Sequence, residues 1–448
     1  MVDDAKSLAD WLQEYVITEV ECFIPDMTGI ARGKIMPTRT FSTQGGLRLP
    51  ESVLIQTVTG DYADDDTLIH PTDGDMVLRP DPTTVRLVPW AIDPTAQVIH
   101  DCYFADGSPV EIAPRHVLHR VLTLYKERGW RPVLAPELEF YLVKTNTDPD
   151  YPLEPPIGRS GRAETARQSY SIDAVNEFDP LIEELYDYCE AQRLAIDTLI
   201  HEAGAGQMEI NLLHGNPLEL ADQTFLFKRT VRETALRHKM YATFMAKPMV
   251  QQTGSAMHIH QSVLDDKTGT NLFANPDGSH SRLFLSYIAG LQKYLPVAMS
   301  LFAPNVNSYR RIAKDEAAPI NGQWGHDNRT AGFRVPLSGP ENRRIENRVP
   351  GADANPYLAF AASLACGYLG MVEDLEPSPS LEDNAYELPY GLPRDLHTAL
   401  NHLTASPAFT RVLGEKFLTA YKSVKEREYD TFFSVISSWE REHLLLNV

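Results

Sequence analysis

The stretch GSAMHIHQS, residues 254–262, places two histidines two positions apart in an alternation of polar and apolar residues. A β-strand points successive side chains to opposite faces, so His258 and His260 share one face while Met257 and Ile259 take the other. Two imidazoles side by side suit a zinc site, a catalytic base or an ordinary hydrogen-bonded pair. Residues elsewhere in the chain have to decide among these three uses.

Two like charges stand side by side in LAPELEFYL, residues 134–142, where Glu137 and Glu139 share a strand face with Tyr141. Adjacent carboxylates repel each other, and a solvated strand face gives no reason for that arrangement. A cation held between them would account for it. The alternative for this stretch alone is a surface strand with incidental acids.

A second pair of carboxylates brackets a turn in HEAGAGQMEINLL, residues 201–213. Gly204 and Gly206 allow the chain to reverse there, which brings Glu202 and Glu209 to one end of two strands. This arrangement again gathers negative charge at one place.

The stretch RIENR, residues 344–348, alternates Arg344, Glu346 and Arg348 with apolar or amide side chains. One strand face is therefore arginine, glutamate, arginine. Guanidinium groups bind anionic oxygens in pairs, and the glutamate between them suits a cation. Such a face is expected where a cation and several anionic oxygens meet.

Taken together, these stretches supply five glutamates and one histidine, and carboxylate-rich sites select hard cations such as Mg²⁺ or Mn²⁺. Zinc is disfavoured because the chain has four widely spaced cysteines with no CxxC pair. The arginines indicate phosphate, and two cations that bridge phosphate oxygens assist phosphoryl transfer. Neither a GxxxxGK[ST] loop nor a kinase-type glycine loop is present, so a nucleotide would be held in another way.

The composition is that of an ordinary globular protein of more than one domain, with 448 residues, 43% hydrophobic and 23% charged. A net charge of −20 disfavours nucleic acid and anionic lipid as partners. The first residues lack the apolar segment of a signal peptide, and unpaired cysteines suit a reducing compartment, so we expect a cytoplasmic protein. The longest apolar run, 357–372, is too short for a membrane span and predicts a buried helix that begins at Asn355 and Pro356.

The order of predicted elements gives an α+β fold. Short β-type runs separated by Pro and Gly fill residues 17 to about 105, and helices alternate with strands after that point. We therefore predict a small N-terminal domain with a leading helix at 1–105, and a large C-terminal domain at 106–448.

Nine segments in order resemble the glutamine synthetase family: PELEF (136–140), HEAGAGQME (201–209), FMAKPM (244–249), GSAMHIHQS, GTNLF (269–273), NSYRRI (307–312), DEAAP (315–319), DNRTAGFRVP (327–336) and RRIENRVPGADANPY (343–357). They span nearly the whole of the larger predicted domain. The resemblance implies an N-terminal β-grasp domain, and a catalytic domain whose curved antiparallel sheet is surrounded by helices. It also implies a homo-oligomer of stacked rings, a dodecamer, with each active site between two subunits.

The chemistry that this resemblance implies begins with ATP, which phosphorylates the γ-carboxylate of L-glutamate. An amine then displaces phosphate from the γ-glutamyl phosphate. Two Mg²⁺ or Mn²⁺ ions per active site would assist, one held by Glu139, Glu202 and Glu209 and the other by Glu137, His258 and Glu346.

The remaining site residues follow from the same resemblance. Arg311, Arg348 and the backbone of Gly254 would bind glutamate; His260, Ser262 and Arg344 would bind ATP; Arg329, Arg334 and the flap residue Glu316 would be catalytic. For His260, a plain hydrogen-bonded strand histidine remains the alternative. The interval between Arg311 and Glu316 is one residue shorter than is usual in the family, which leaves the reach of the flap open.

The chain departs from ammonium-using members in LIQTVTGDYADDD, residues 54–66. Those members carry an FDGSS-like loop whose aspartate and serine help to hold ammonium, whereas here Thr59 precedes the glycine and Asp61 follows it. A larger amine would not need that pocket. The acidic run formed by Asp61 and Asp64 to Asp66 would attract a polycation, unless it is simply a solvated loop.

The sequence therefore favours a γ-glutamyl ligase for a diamine or polyamine such as putrescine, cadaverine, spermidine or spermine. The alternatives are a glutamine synthetase with an altered ammonium pocket, a ligase for another monoamine, and a catalytically inactive protein of the same fold. The intact set of site residues argues against the last. Tyr386 resembles a regulatory nucleotidylated tyrosine of the family, but its surroundings match poorly and we expect it to be unmodified.

Overall fold

A computed structural model describes residues 7–44, 46–63, 68–164, 167–314 and 317–448. Glu316 and Asp64 to Asp66 consequently lie outside the described residues. The strands run as follows: β1 Glu19–Pro25, β2 Ala31–Pro37, β3 Leu47–Pro50, β4 Asp75–Pro80, β5 Arg86–Leu87, β6 Thr95–Tyr103, β7 Trp130–Lys144, β8 Ile196–His201, β9 Gln207–Leu212, β10 Met240–Thr243, β11 Met257–Asp265, β12 Trp324–His326, β13 Phe333–Val335 and β14 Ile345–Asn347.

Helices fill most of the remainder of the chain. Their bounds are α1 Leu8–Glu14, α2 Thr38–Gln44, α3 Pro114–Glu127, α4 Ile172–Asn176, α5 Asp179–Ala191, α6 Pro217–Arg237, α7 Arg282–Phe302, α8 Ser308–Arg311, α9 Pro356–Val372, α10 Leu396–Thr404, α11 Pro407–Leu413, α12 Glu415–Phe433 and α13 Ser438–His443. Among the described residues, no helix combines the length and apolarity needed to cross a membrane.

The described strands form two sheets, which confirms the predicted α+β class. The first has the order β2-β1-β6-β4-β3, with β5 also paired to β6. Its pairs are antiparallel except for β1 and β6, which run parallel. All of its strands lie between residues 19 and 103. The domain division at residue 105 stays a prediction, although it falls between the last strand of this sheet and the first strand of the other.

The second described sheet has eight strands in the order β12-β13-β14-β11-β7-β9-β8, and β10 also pairs with β7. The strand that contains both histidines, β11, lies near its middle and pairs antiparallel with β7 and with β14. Its side chains that face away from the imidazoles, Met257 and Ile259, are fully buried. Period-two alternation therefore places apolar groups in the core and leaves the other face to polar chemistry.

Helices α7 and α9 pack behind this sheet. Every residue of α9 from Pro356 to Met371 is buried, and the Asn355 side chain caps its first turn as the sequence predicts. The two helices approach closely where Gly290 faces Gly370. A Cβ on Gly290 would lie only 2.6 Å from the Gly370 Cα. Only glycine permits backbones to approach so closely.

A buried guanidinium ties the first sheet region to helices α3 and α6. Arg115 at the start of α3 binds Asp81 and Asp101 of the first sheet region, each at 2.6 Å, and Asp222 of α6 at 2.9 Å. Removing the guanidinium would leave three carboxylates together without a positive partner, so this cluster holds α3 against the first sheet and α6.

Candidate active site

The register of four strands assembles five of the six predicted metal-ligating side chains into one strip. His258 on β11 stands opposite Glu137 on β7, and Glu139 on β7 stands opposite Glu209 on β9. On the other edge of β11, Glu346 on β14 is the partner of His260. Residues separated by more than 100 positions in the chain thereby share one face of the sheet.

The strip contains two groups of residues that could ligate a metal ion. One is Glu137 with Glu209 and His258, and the other is Glu137 with His260 and Glu346; within each group the potential ligand atoms lie within 4.8 Å of one another. The predicted trio of Glu137, His258 and Glu346 is also close, since Nδ1 of His258 lies 3.4 Å from Glu137 and 3.6 Å from Glu346. The structure differs from the two predicted trios in that Glu137 reaches both groups. It does so because β7 lies between β9 and β11.

Hydrogen bonds and nearby positive charge hold the carboxylates at one end of the strip in their charged form. Burial alone would raise the pKa of Glu137, but hydrogen bonds from His258 and His260 outweigh it and hold that pKa well below its usual range. Glu346 is 1% exposed, yet the charge of Arg348 overcomes burial and lowers its pKa to about 2. These two carboxylates are therefore ionised at any physiological pH.

At the other end, three carboxylates crowd together without enough positive charge. Burial and the charge of Glu202 raise the pKa of Glu139 to about 8. Burial and the charges of Glu137, Glu139 and Glu202 raise the pKa of Glu209 to about 9. Burial also raises the pKa of Glu202 itself. Buried oxygen ligands that repel one another are a donor set that fits a hard divalent cation, which would replace the missing positive charge.

This crowding predicts that divalent-cation binding strengthens with pH. A cation binds the ionised carboxylates, so at low pH it must displace protons from Glu139 and Glu209, whose pKa values of about 8 and 9 exceed the ordinary 4.5. We expect the apparent affinity for Mg²⁺ to be at least about tenfold higher at about pH 8.5 than at about pH 6.5. Calorimetric titration in two buffers of different ionisation enthalpy measures both the affinity and the protons released. Equal affinity with no proton release would contradict the prediction.

Arg348 is the predicted glutamate-binding residue whose environment is most distinctive. It is 7% exposed, one of its guanidinium nitrogens donates to Glu346 at 2.5 Å, and its Nε is buried with no partner among the described residues. A buried donor without an acceptor is costly, so this N–H fits a substrate oxygen. Arg311 supports it from behind by donating to the backbone carbonyls of Arg348 and Val349.

Gly254 leaves room for the stem of Arg311. A Cβ at this position would lie 2.5 Å from the Arg311 Cγ and 2.7 Å from the carbonyl oxygen of Ala246. We expect Gly254→Ala to displace Arg311 and raise the KM for glutamate by about tenfold, the cost typical of an overpacked core site. The matched control is Gly74→Ala, because a Cβ at Gly74 has nothing within 4 Å. Glutamate saturation curves for both variants provide the measurement, and equal KM values would contradict the prediction.

The two predicted catalytic arginines differ in their surroundings. Arg334 donates to Glu346 at 2.9 Å and to Asp327 through its Nε at 3.0 Å, so its guanidinium is held between two carboxylates. Arg329 is exposed, and its charge opposes the rise in the pKa of Glu202. The structure thus brings Arg334 into contact with the strip at Glu346, whereas Arg329 lies within electrostatic range of Glu202.

The three predicted ATP-binding residues line one cavity of about 740 Å³ that opens beside Glu137. His260 lies between its carboxylate partner and Arg344: its Nε2 is 2.6 Å from Glu137, and its Nδ1 accepts from Arg344 at 3.3 Å. Ser262 follows on the same strand face. A cavity of this size accommodates a nucleotide-sized ligand.

Gln207, which the sequence pattern does not single out, links the predicted metal ligand Glu139 to the predicted glutamate-binding residue Gly254. Its buried amide nitrogen donates to Glu139 at 3.1 Å and to the Gly254 carbonyl at 3.0 Å, and its amide oxygen accepts from Gly204 and Thr253. Gln207 stands on the same strand face as Glu209, two positions away. That spacing was the one available signal, but an amide on a polar strand face is too common to single out.

Three predicted features lie apart from the strip or cannot be placed. Among the described residues, no hydrogen bond or ion pair joins Thr59 or Asp61 to the strip; both belong to a hairpin in which Thr59 donates to Asp61 at 3.1 Å. Glu316 lies outside the described residues, so its role stays a prediction. Tyr386 is buried in a short 3₁₀ turn.

The strip offers carboxylates and imidazoles that suit divalent cations, and arginines that suit anionic oxygens. The family model for the glutamine synthetase catalytic domain matches residues 111–444. Gamma-glutamylputrescine synthetase PuuA of Escherichia coli (strain K12) is 36% identical, over 98% of this chain and 94% of its own. Glutamate–isopropylamine ligase of Pseudomonas sp is 30% identical, over 96% of this chain and 95% of its own length. A solved structure of GmaS without ligand has a TM-score of 0.84 at 27% identity, over 98% of this chain and 99% of its own.

The chain therefore belongs to the glutamine synthetase family, as the nine segments indicate, and it is an ATP-dependent ligase that forms C–N bonds. The family uses ATP and divalent metal ions. The assignment of individual residues to these ligands rests on the geometry above and stays a proposal.

Proposed function

We propose that this ligase joins the γ-carboxylate of L-glutamate to a primary amine, with a diamine or polyamine such as putrescine, cadaverine, spermidine or spermine as the acceptor. The observation that carries the proposal is the strip itself. Five residues that could ligate a metal ion, a buried Arg348 whose Nε has no described partner, and a nucleotide-sized cavity lie side by side. Similarity to a γ-glutamylputrescine synthetase and a glutamate–isopropylamine ligase supports an amine larger than ammonium.

The proposed reaction has two steps. An oxygen of the glutamate γ-carboxylate attacks the γ-phosphorus of ATP. The bond between that phosphorus and the oxygen bridging it to the β-phosphate breaks, and ADP leaves with the bridging oxygen. The amine nitrogen then attacks the acyl carbon, inorganic phosphate leaves, and a proton from the nitrogen passes to Glu316. Divalent cations held by Glu137, Glu139, Glu202, Glu209, His258 and Glu346 would neutralise the phosphate oxygens.

The side chains of this chain would carry out the positioning. Arg348 and Arg311 would orient the glutamate carboxylate, while Arg329 and Arg334 would stabilise charge on the transferring phosphoryl group. Exclusion of water matters because an acyl phosphate hydrolyses readily.

We further propose that the active form is a homo-oligomer of stacked rings, to which Thr59 and Asp61 contribute across a subunit boundary. Two observations support this. The hairpin of Thr59 lacks described contacts with the strip of its own chain, and the C-terminal segment after α12 exposes Val435, Ile436, Trp439 and Leu446. Apolar side chains exposed together in this way are typical of an interface. Analytical ultracentrifugation tests the assembly, and a monomer that is fully active would overturn it.

The deciding experiment is phosphate release from ATP with glutamate and Mg²⁺, compared across ammonium, putrescine, cadaverine, spermidine, spermine and several monoamines. Preference for diamines or polyamines, with ammonium weak even at high concentration, is the expected result. Efficient use of ammonium would instead show a glutamine synthetase, and preference for isopropylamine or another small monoamine would show a monoamine ligase.

The acidic run provides a more local prediction. Alanine at Asp61 and at Asp64 to Asp66 is expected to raise the KM for putrescine about fivefold, which corresponds to the upper end of the free energy contributed by an exposed ion pair. The KM for glutamate should stay unchanged. Asp106→Ala, an exposed loop carboxylate that binds Ser108, is the matched control. An unchanged KM for putrescine would show that the run is only a solvated loop.

A further inference from the structure

A buried carboxylate outside the proposed ligand set reaches from the loop before α4 to the turn that carries Glu202. The Oε2 atom of Glu164 accepts a hydrogen bond from the backbone N–H of Gly206 at 2.6 Å, and its Oε1 lies 3.0 Å from Nε2 of His201. The side chain of Glu164 is 8% exposed and that of His201 is fully buried. Burial of a carboxylate costs free energy unless hydrogen bonds and charged partners replace its interactions with water.

The other side of the imidazole holds the backbone of a proposed metal ligand. Nδ1 of His201 lies 2.7 Å from the carbonyl oxygen of Glu202. The carbonyl oxygen of His201 in turn accepts from the backbone N–H of Tyr170 at 2.8 Å, which ties the same loop to β8 a second time. The turn between β8 and β9 is thus held at its first residue by His201 and at Gly206 by Glu164.

We propose that Glu164 and His201 form a positioning pair that holds the turn 202–206, and with it the Glu202 carboxylate, in the geometry that binds a divalent cation. By the same bonds, cation binding stabilises the loop of Glu164. Partners that orient a ligand from outside the coordination shell change metal affinity about 10- to 100-fold when they are removed. The inference rests on the proposed metal site, but it does not depend on which amine is used.

The test is a titration of metal-free protein with Mn²⁺, followed by electron paramagnetic resonance, with no substrate present. Glu164→Ala is expected to weaken one of the Mn²⁺ sites about 10- to 100-fold and to leave the other within about twofold. Glu164→Gln keeps an oxygen that accepts a hydrogen bond from the Gly206 N–H, so this variant should lose less Mn²⁺ affinity than Glu164→Ala. The matched control is Glu177→Ala, because that carboxylate accepts the backbone N–H of Ser160 in the same loop without touching His201.

A double-mutant cycle separates a pair from two independent residues. If Glu164 and His201 act together, Glu164→Ala combined with His201→Gln weakens Mn²⁺ binding no more than Glu164→Ala alone. Additive losses would overturn the pair, and so would wild-type Mn²⁺ affinity in Glu164→Ala.

Limited trypsin digestion measures the reciprocal effect on the loop, where Arg159 and Arg162 are exposed. Mn²⁺ should slow cleavage there in the wild type and much less in Glu164→Ala, since coupling between two sites acts in both directions. Equal protection in both proteins would overturn the coupling. A wild type that binds no Mn²⁺ would overturn both the metal site and this inference, whereas a failure to use any amine would overturn only the proposed acceptor.

Discussion

Glu346→Ala is expected to abolish phosphate release from ATP with every amine, by a factor of more than about 100. The carboxylate lies 3.6 Å from Nδ1 of His258 through one oxygen and accepts from Arg334 at 2.9 Å through the other. It also accepts from Arg348 at 2.5 Å. Its removal therefore takes away a proposed metal ligand and the common partner of two arginines.

Two further variants separate lost chemistry from lost folding. Glu346→Ala leaves buried guanidinium charge unpaired, which is itself destabilising. Glu346→Gln keeps the volume and one acceptor oxygen, so it should remain folded by calorimetry and still lose nearly all turnover. Glu382→Ala, which removes an exposed carboxylate that accepts from Ser380, should behave as wild type. Retained turnover in Glu346→Gln would refute the assignment of Glu346 as a metal ligand.

Arg348→Lys is expected to raise the KM for glutamate about 100-fold while nucleotide binding stays within about twofold of wild type. Lysine offers a single charged centre where arginine offers a planar fork, so it cannot bond to Glu346 and also present an N–H at the position of Nε. That Nε is buried and has no described partner, so its removal should mainly weaken binding of the substrate whose oxygen accepts its hydrogen bond.

Separate titrations with glutamate and with ADP make this prediction specific to one substrate. The matched control is Arg310→Lys, an exposed arginine next to Arg311 that undergoes the same change in side chain. It should leave both affinities unchanged. A variant at Arg348 that loses ADP affinity and keeps its KM for glutamate would move this arginine from the glutamate site to the nucleotide site.

The longer elements of the fold could be predicted from sequence because their patterns are local. The apolar run behind Asn355 and Pro356 carries its own start signal, and β11 carries its own alternation of polar and apolar residues. The short strands β10 and β12, of four and three residues, carry too little pattern to identify from sequence. They are defined by their pairing with other strands, β10 with the long strand β7 and β12 with β13. Tertiary pairing overrides weak local preference in such segments.

The sequence by itself determined the chemical nature of the site: glutamates, a histidine and arginines recur on single strand faces because side-chain alternation is set by the backbone alone. Only the tertiary structure decided which of them meet. Glu137 joins His258 on one side and the Glu209 group on the other because β7 lies between β11 and β9, and strand register between distant segments depends on long-range pairing and burial. For the same reason the spacing of Gln207 was too common a pattern to single it out, and Glu164 and His201 could not be paired from sequence, because they meet only through tertiary contacts.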